Sequence, residues 1–155
     1  MGSEMCIRDR NVIIPHPNLR QKFSQRIKAL GISPNSFGLF MATAAYSPEG
    51  AQWLDELLHY IDGNRVIFDR EVNKIPGLSS MPLEGTYLAW VDFSGTGMEE
   101  EEFIYRVQEK AKIAVNHGST FGTGGEKFLR FNLATPRTLV VEATKRLKDA
   151  FSDLQ

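Results

Sequence analysis

Lys127 to Arg137, KFLRFNLATPR, alternates at the period of a β-strand: Leu129, Phe131 and Leu133 share one face, while Phe128, Arg130, Asn132 and Ala134 share the other. The Thr-Pro pair that follows ends the strand. A strand with one fully apolar face lies on a core, yet Arg130 stands at the middle of its other face. A guanidinium withdrawn from water is costly unless it is paired, so Arg130 requires an anion. Its planar fork matches a carboxylate with two parallel hydrogen bonds, a geometry that lysine does not reproduce. Asn132, two residues on and on the same face, could donate a further hydrogen bond. Two readings follow: a pocket for a small carboxylic acid, or an internal salt bridge to one of the 19 acidic residues.

Outward from this strand the second half of the chain organises itself. "NHGSTFGTGGEK" before it is a glycine loop that permits close approach of backbone and ligand. Thr135-Pro136 after it predicts a final helix with Leu139, Ala143, Leu147 and Phe151 on its inner side. Upstream, Thr86 to Phe93, "TYLAWVDF", has the aromatic and β-branched content of a second strand. Thr96 and Glu99 have capping-box spacing, which predicts a helix from Met98 to about Val115 with the acids Glu99 to Glu102 at its positive end. "IPGLSSMPLEG" is a Pro/Gly/Ser connection.

The first half is helical in pattern. Asn18 is a candidate cap for a helix to Leu30, with Leu19, Phe23, Ile27 and Leu30 on one stripe and Gly31 as its stop. Ser33 to Tyr46 predicts a second helix, apolar enough to require cover on several sides. Ser47-Pro48 opens a long third helix, with Trp53, Leu57, Ile61 and Phe68 inward and an end near Lys74. Gly63 weakens its middle by about 1 kcal/mol relative to alanine. The whole reads as α+β: a small antiparallel sheet with helices packed on one face. The expected division is residues 1–10, 11–74 (a helical bridging segment) and 75–155 (the sheet-bearing small domain). The opening MGSEMCIRDR has no periodicity and reads as a non-native leader; on periodicity alone a native tail is equally open.

Composition sets the frame. The chain has 155 residues, 42% hydrophobic and 24% charged, as expected of one soluble globular chain with a real core. A net charge of −1 gives no drive toward nucleic acid or an acidic membrane. The single cysteine, Cys6, rules out an internal disulfide and suits a cytoplasmic setting. His16, His59 and His117 lack metal-ligand spacing, although His117, in the glycine loop, is open to a pocket role. "GTGG", Gly122 to Gly125, does not continue into a dinucleotide fingerprint, because Lys127 stands where the third glycine would be. No hydrolase triad is legible.

"PLEGTYLAWVDFSGTG" and "EKAKIAVNHGSTFGTGGEKFLRFNLATPR" resemble the C-terminal part of fold-type I pyridoxal-phosphate enzymes, those of the aspartate-aminotransferase fold. In particular they resemble the cystathionine β-lyase-like (C–S lyase) branch of the class I/II aminotransferase superfamily. "NVIIPHPNLRQKF" and "FGLFMATAAYSPEGAQWLDELLHYIDGN" are similar to the segments that follow the cofactor lysine there, so the resemblance runs from Asn11 to Leu154. It implies that Arg130 binds the α-carboxylate of an amino-acid substrate. It also implies that Gly118 to Gly122 lies near the substrate end of the active site, and that Gly85 and Tyr87 pass close to the substrate. Asn132, His117 and Gly118 complete the expected substrate-binding set; His117 stands where the family usually has proline. The implied cofactor of the intact enzyme is pyridoxal 5'-phosphate. The implied reaction cleaves a C–S bond to give pyruvate, ammonia and a thiol. The implied assembly is a homodimer, with neither nucleic acid nor membrane as partner. None of the chain's lysines lies in the context of the cofactor lysine, so no catalytic residue is assigned. An aminotransferase with the same clamp, and a stand-alone amino-acid-binding domain, remain as alternatives.

Overall fold

In the computed structural model, residues 12–33 and 35–154 are described. The opening decapeptide, expected to be a leader, lies outside them. The described chain forms two compact units, one ending at Glu56 and the other beginning at Leu57. Their boundary falls inside the long helix, whose second half sends Phe68 and Val72 into the core beneath the sheet.

The first unit contains helices α1 (Pro17–Ala29), α2 (Ser36–Ala45) and the opening of α3 (Pro48–Val72). α1 starts one residue earlier than its expected cap: His16 holds the N-cap position and Pro17 follows it, so Asn18 is helical and does not cap. Proline suits the first turn because its missing N–H is an orphan there anyway. Gly31 ends the helix as expected, with φ at +63°. The Asn35 Oδ1 caps α2 by accepting the Phe37 N–H at 2.9 Å, and the Ser47 Oγ does the same for Gly50 in α3 at 3.1 Å. Neither α1 nor α2 buries a side chain among the described residues. The cover expected for α2 is absent from them, and Trp53, expected inward, is 63% exposed. Apolar periodicity states that a surface needs a partner; it does not state which segment supplies one.

The second unit is a four-stranded antiparallel sheet with helices on one face, as the sequence predicts. The strands are β1 (Ser79–Ser80), β2 (Leu88–Asp92), β3 (Asn116–His117) and β4 (Phe128–Asn132), in the order β1-β2-β4-β3. β3 lies within the expected glycine loop, whose first two residues pair with β4. The covering helices are the second half of α3, α4 (Glu100–Tyr105), which continues into a π-helical turn over Arg106–Lys110, and α5 (Arg137–Ala150). α4 is shorter than expected, and Glu99 itself is its N-cap residue. Thr96 instead accepts the Met98 N–H at 3.2 Å and donates to the Phe93 carbonyl, so no capping box forms.

The core follows the alternation of the strands. Ala89 and Val91 of β2 with Phe93 just past its end, and Leu129 and Phe131 of β4 with Leu133 just past its end, meet Phe68, Val72, Phe103, Val107, Val140 and Leu147 from the helical side. Phe93 stacks on Phe103 with centroids 4.9 Å apart and meets Phe151 at 5.8 Å. Each of these buried phenylalanines contributes about 1.5–3 kcal/mol through burial alone. The inner stripe of α5 is Val140, Thr144, Leu147 and Ala150, not the expected stripe from Leu139, which is exposed; Leu147 and Phe151 are buried as expected. The helix begins at Arg137, one residue after Pro136, and this phase puts Val140 toward the sheet.

Gly63 has a purpose that its helix propensity hides. A Cβ built on it would stand 2.5 Å from Arg137 Nη2. That nitrogen is a side-chain end and can yield, but only by leaving Asn64 and the Tyr60 carbonyl, so Gly63→Ala is expected to lower stability slightly, where propensity alone predicts a gain of about 1 kcal/mol. Denaturant unfolding of the wild type and the variant decides between the two signs.

Candidate functional site

The antiparallel register places Arg130 at the centre of the face turned away from the helices. Trp90 on β2 and Asn116 on β3 are its direct cross-strand partners, so the three side chains share one face. Phe128 and Asn132 join them by alternation along β4. The loop after β3 coils through a 3-10 turn over Gly118–Phe121 and carries Phe121 onto this face.

Arg130 is half-buried there and well held. Its Nη2 donates to Asn116 Oδ1 at 2.9 Å, and its guanidinium lies 4.5 Å from the centroid of the Phe121 ring. Phe121 meets Trp90 edge-on at 5.5 Å, and Trp90 stacks with Phe128 at 5.6 Å. The Phe121 ring, itself packed on Trp90, covers one side of the guanidinium and keeps water from it. Among the described residues no carboxylate forms an ion pair with Arg130, and its buried Nε has no hydrogen-bond partner. The internal salt bridge is therefore not made. What stands on this face is a positioned cation with a buried donor and, on Asn132, an amide whose Oδ1 accepts the Ala134 N–H at 2.9 Å. The Asn132 NH2 group remains to donate. This arrangement can bind a planar anion through two or three charge-assisted hydrogen bonds.

The other expected site residues are distributed unevenly. Gly118 sits at the base of the loop, where a Cβ would lie 2.2 Å from the Gly125 carbonyl oxygen and 3.0 Å from the Phe128 Cβ. Tyr87 leads into β2, and its carbonyl accepts the Leu133 N–H at 2.8 Å. Gly85 precedes it in an open turn, where a Cβ would meet nothing within 4 Å. Between them Thr86 has φ at +64°, a strained value for a β-branched residue. His117 departs from expectation. It pairs with Leu129 and so lies on the helix-covered face, opposite Arg130, with its Nε2 3.1 Å from the Gln108 Nε2. A one-residue step along a strand reverses the face, so neighbours in sequence become opposites in space.

Two surface concavities, one lined by Lys110, Arg146 and Asp153 and the other by Arg70, Glu71 and Lys145, do not include Arg130. Among the described residues no group of histidine, cysteine and acids could hold a metal ion. No helix among them is long and apolar enough to cross a membrane.

No protein-family model matches the chain. It is 34% identical over 143 residues to the cystathionine beta-lyase PatB of Bacillus subtilis (strain 168), covering 91% of this chain and 37% of PatB. It is 30% identical over 107 residues to the aspartate aminotransferase of Pyrococcus horikoshii, covering 69% of this chain and 27% of that protein. It superposes on cystalysin from Treponema denticola, whose structure contains a pyridoxal 5'-phosphate cofactor. That match has a TM-score of 0.81 at 32% identity and covers 92% of this chain and 36% of cystalysin. The open-faced antiparallel sheet and these likenesses place the chain in the aspartate-aminotransferase fold class of pyridoxal-phosphate enzymes. Within that class it belongs to the cystathionine β-lyase-like, or C–S lyase, branch. It spans between about a quarter and little more than a third of the length of these relatives, 27% to 37%.

The Arg130 face suits a carboxylate and does not by itself suit the cofactor, which needs an amine for attachment. In the unit that begins at Leu57, Lys74 pairs with Glu71, Lys112 pairs with Glu109, and Lys127 donates to the Met98 carbonyl. Lys110 belongs to the π-helical turn, and Lys145 and Lys148 belong to α5, on the covered side of the sheet. No residue of this unit is assigned to pyridoxal phosphate.

Proposed function

We propose that this chain supplies the substrate-carboxylate end of the active site of a pyridoxal-phosphate-dependent carbon–sulfur β-lyase. In this reading Arg130 binds the α-carboxylate of an amino acid bearing a β-sulfur substituent. The products are pyruvate, ammonia and a thiol. One observation carries the reading: a half-buried, aromatic-stacked guanidinium that no carboxylate among the described residues neutralises. Pyridoxal phosphate supplies the electron sink in such an enzyme, and residues outside the Arg130 face hold it. The work of the chain itself is orientation. Asn116 and Phe121 fix the guanidinium plane, and the bound carboxylate then fixes the direction in which the substrate's Cα and Cβ bonds point. The Asn132 amide donates to the same carboxylate. Gly85, Tyr87 and Gly118 line the approach through backbone.

The cystathionine β-lyase named among the relatives favours the lyase over an aminotransferase with the same clamp. The enzyme acts in the cytoplasm as a homodimer, a reading supported by the single cysteine and by the family. The deciding experiment supplies cystathionine, without a keto acid, to the full-length protein that carries this chain. Pyruvate and a free thiol appear if the lyase reading is right. Turnover only after a keto acid is added assigns an aminotransferase. Tight amino-acid binding with no product in either assay assigns a binding domain.

A further inference from the structure

We infer that Arg137, Asn64 and Tyr60 are positioning residues for the carboxylate clamp, an inference that rests on the proposed role of Arg130. They form a polar latch that holds the end of β4 against α3, on the side of the sheet away from the substrate.

Asn64 is 0% exposed, in the middle of a helix face that otherwise buries Ile61, Phe68 and Val72. A buried amide costs stability unless its donors and acceptor are used. All of them are. The Asn64 Nδ2 donates to the Leu133 carbonyl at 3.0 Å and to the Thr135 carbonyl at 2.9 Å, and its Oδ1 accepts from Arg137 Nε at 3.1 Å. Arg137 in turn donates from Nη2 to the Tyr60 carbonyl at 2.9 Å, and its guanidinium stacks on the Tyr60 ring at 4.6 Å. The Tyr60 hydroxyl accepts the Arg137 N–H at 2.7 Å, which provides α5 with the cap that Pro136 lacks. Gly63 completes the fit, since any side chain there would strike the guanidinium.

The latch acts on one short segment, Asn132 to Thr135. Asn132 ties this turn from within by accepting the Ala134 N–H, and Asn64 ties it from outside through the carbonyls on either side of Ala134. The Leu133 N–H is bonded to Tyr87. The turn is therefore fixed at three points, all within five residues of Arg130. A core contact alone would need only an apolar residue at position 64. A fully satisfied polar network sets one register and one orientation for the strand end, and that orientation aims the Asn132 amide and the β4 side chains.

The test uses the full-length enzyme with a carboxylate-bearing substrate. Arg137→Met is expected to raise KM about tenfold, mid-range for directly coupled neighbours, with kcat changed little. Tyr60→Phe keeps the ring but removes the hydroxyl, so it is expected to give a smaller rise and covers the case in which Arg137→Met fails to fold. In an Arg130→Ala background, Arg137→Met is expected to add much less than about tenfold to KM, because only the Asn132 amide is left to position. A merely structural role predicts losses that multiply. Multiplying losses, or unchanged KM in both single variants, overturn this inference while leaving the clamp intact. An Arg130→Ala variant with wild-type kinetics overturns the clamp and the latch together.

Discussion

Replacing Arg130 with alanine in the full-length enzyme is expected to raise KM and to lower kcat/KM by about 2–4 kcal/mol, roughly 30- to 900-fold. The size comes from what the site loses. The substrate carboxylate gives up a charge-assisted pair of hydrogen bonds in a setting from which Phe121 and Trp90 exclude part of the water. A surface arginine would be worth a fraction of this. Arg130→Lys is expected to recover little. An ammonium lacks the planar fork that lies over Phe121, holds Asn116 with one nitrogen and leaves another for the ligand. Steady-state kinetics on the three proteins check the prediction, and wild-type kcat/KM in the alanine variant sinks it. A methyl ester of the substrate separates carboxylate binding from folding effects: it should discriminate poorly between wild type and Arg130→Ala.

The sequence announces this site in part, and the reason is geometric. Period-two alternation in KFLRFNL places Arg130 off the core and Leu129, Phe131 and Leu133 in it, and the structure has this arrangement. The pattern gives the face of each residue in a strand, because a strand has only two faces. It does not give the neighbours across the sheet. Trp90 and Asn116 meet Arg130 through a register set by residues 14 to 40 positions away, and Phe121 arrives by a loop turn that has no period to read. His117 shows the converse. It is adjacent in sequence to site residues, yet its strand pairing sends it to the opposite face. Helix faces were legible where the partner is local to the unit, as at Ile61 and Phe68, and were not where the described residues hold no partner, as at Trp53. Asn64 left a signal that goes unread if only apolar residues are counted. It falls on the Ile61–Phe68 stripe, where a polar side chain must find buried partners, and the Pro-Arg pair after β4 supplies one of them.

Gly118→Ala is expected to cost about 3 kcal/mol of stability and to disorganise the clamp. The loop before β4 leaves Gly118 and returns at Gly125, and its two limbs cross with almost no space. A Cβ on Gly118 would lie 2.2 Å from the Gly125 carbonyl oxygen and 2.6 Å from that of Phe128; a Cβ on Gly125 would lie 2.2 Å from the Gly118 oxygen. These obstacles are backbone atoms, and the Gly125 oxygen is itself occupied by the Phe128 N–H at 3.0 Å. Relief therefore requires one limb to move by about 1 Å, the difference between such a contact and an ordinary one. The limb free to move is β3, which is two residues long at the sheet edge. Its displacement takes Asn116 away from Arg130 and loosens the turn that holds Phe121 over the guanidinium. Gly125→Ala is expected to give the same result for the same reason. Gly122→Ala is the contrast: φ is +118° but the space is open, so its cost is conformational strain without collision, about 1–3 kcal/mol. Denaturant unfolding and KM measured on all three variants check the argument. A Gly118→Ala protein with wild-type stability and KM means that the limbs do not cross this closely, and the positions of Asn116 and Phe121 beside Arg130 fall with that crossing.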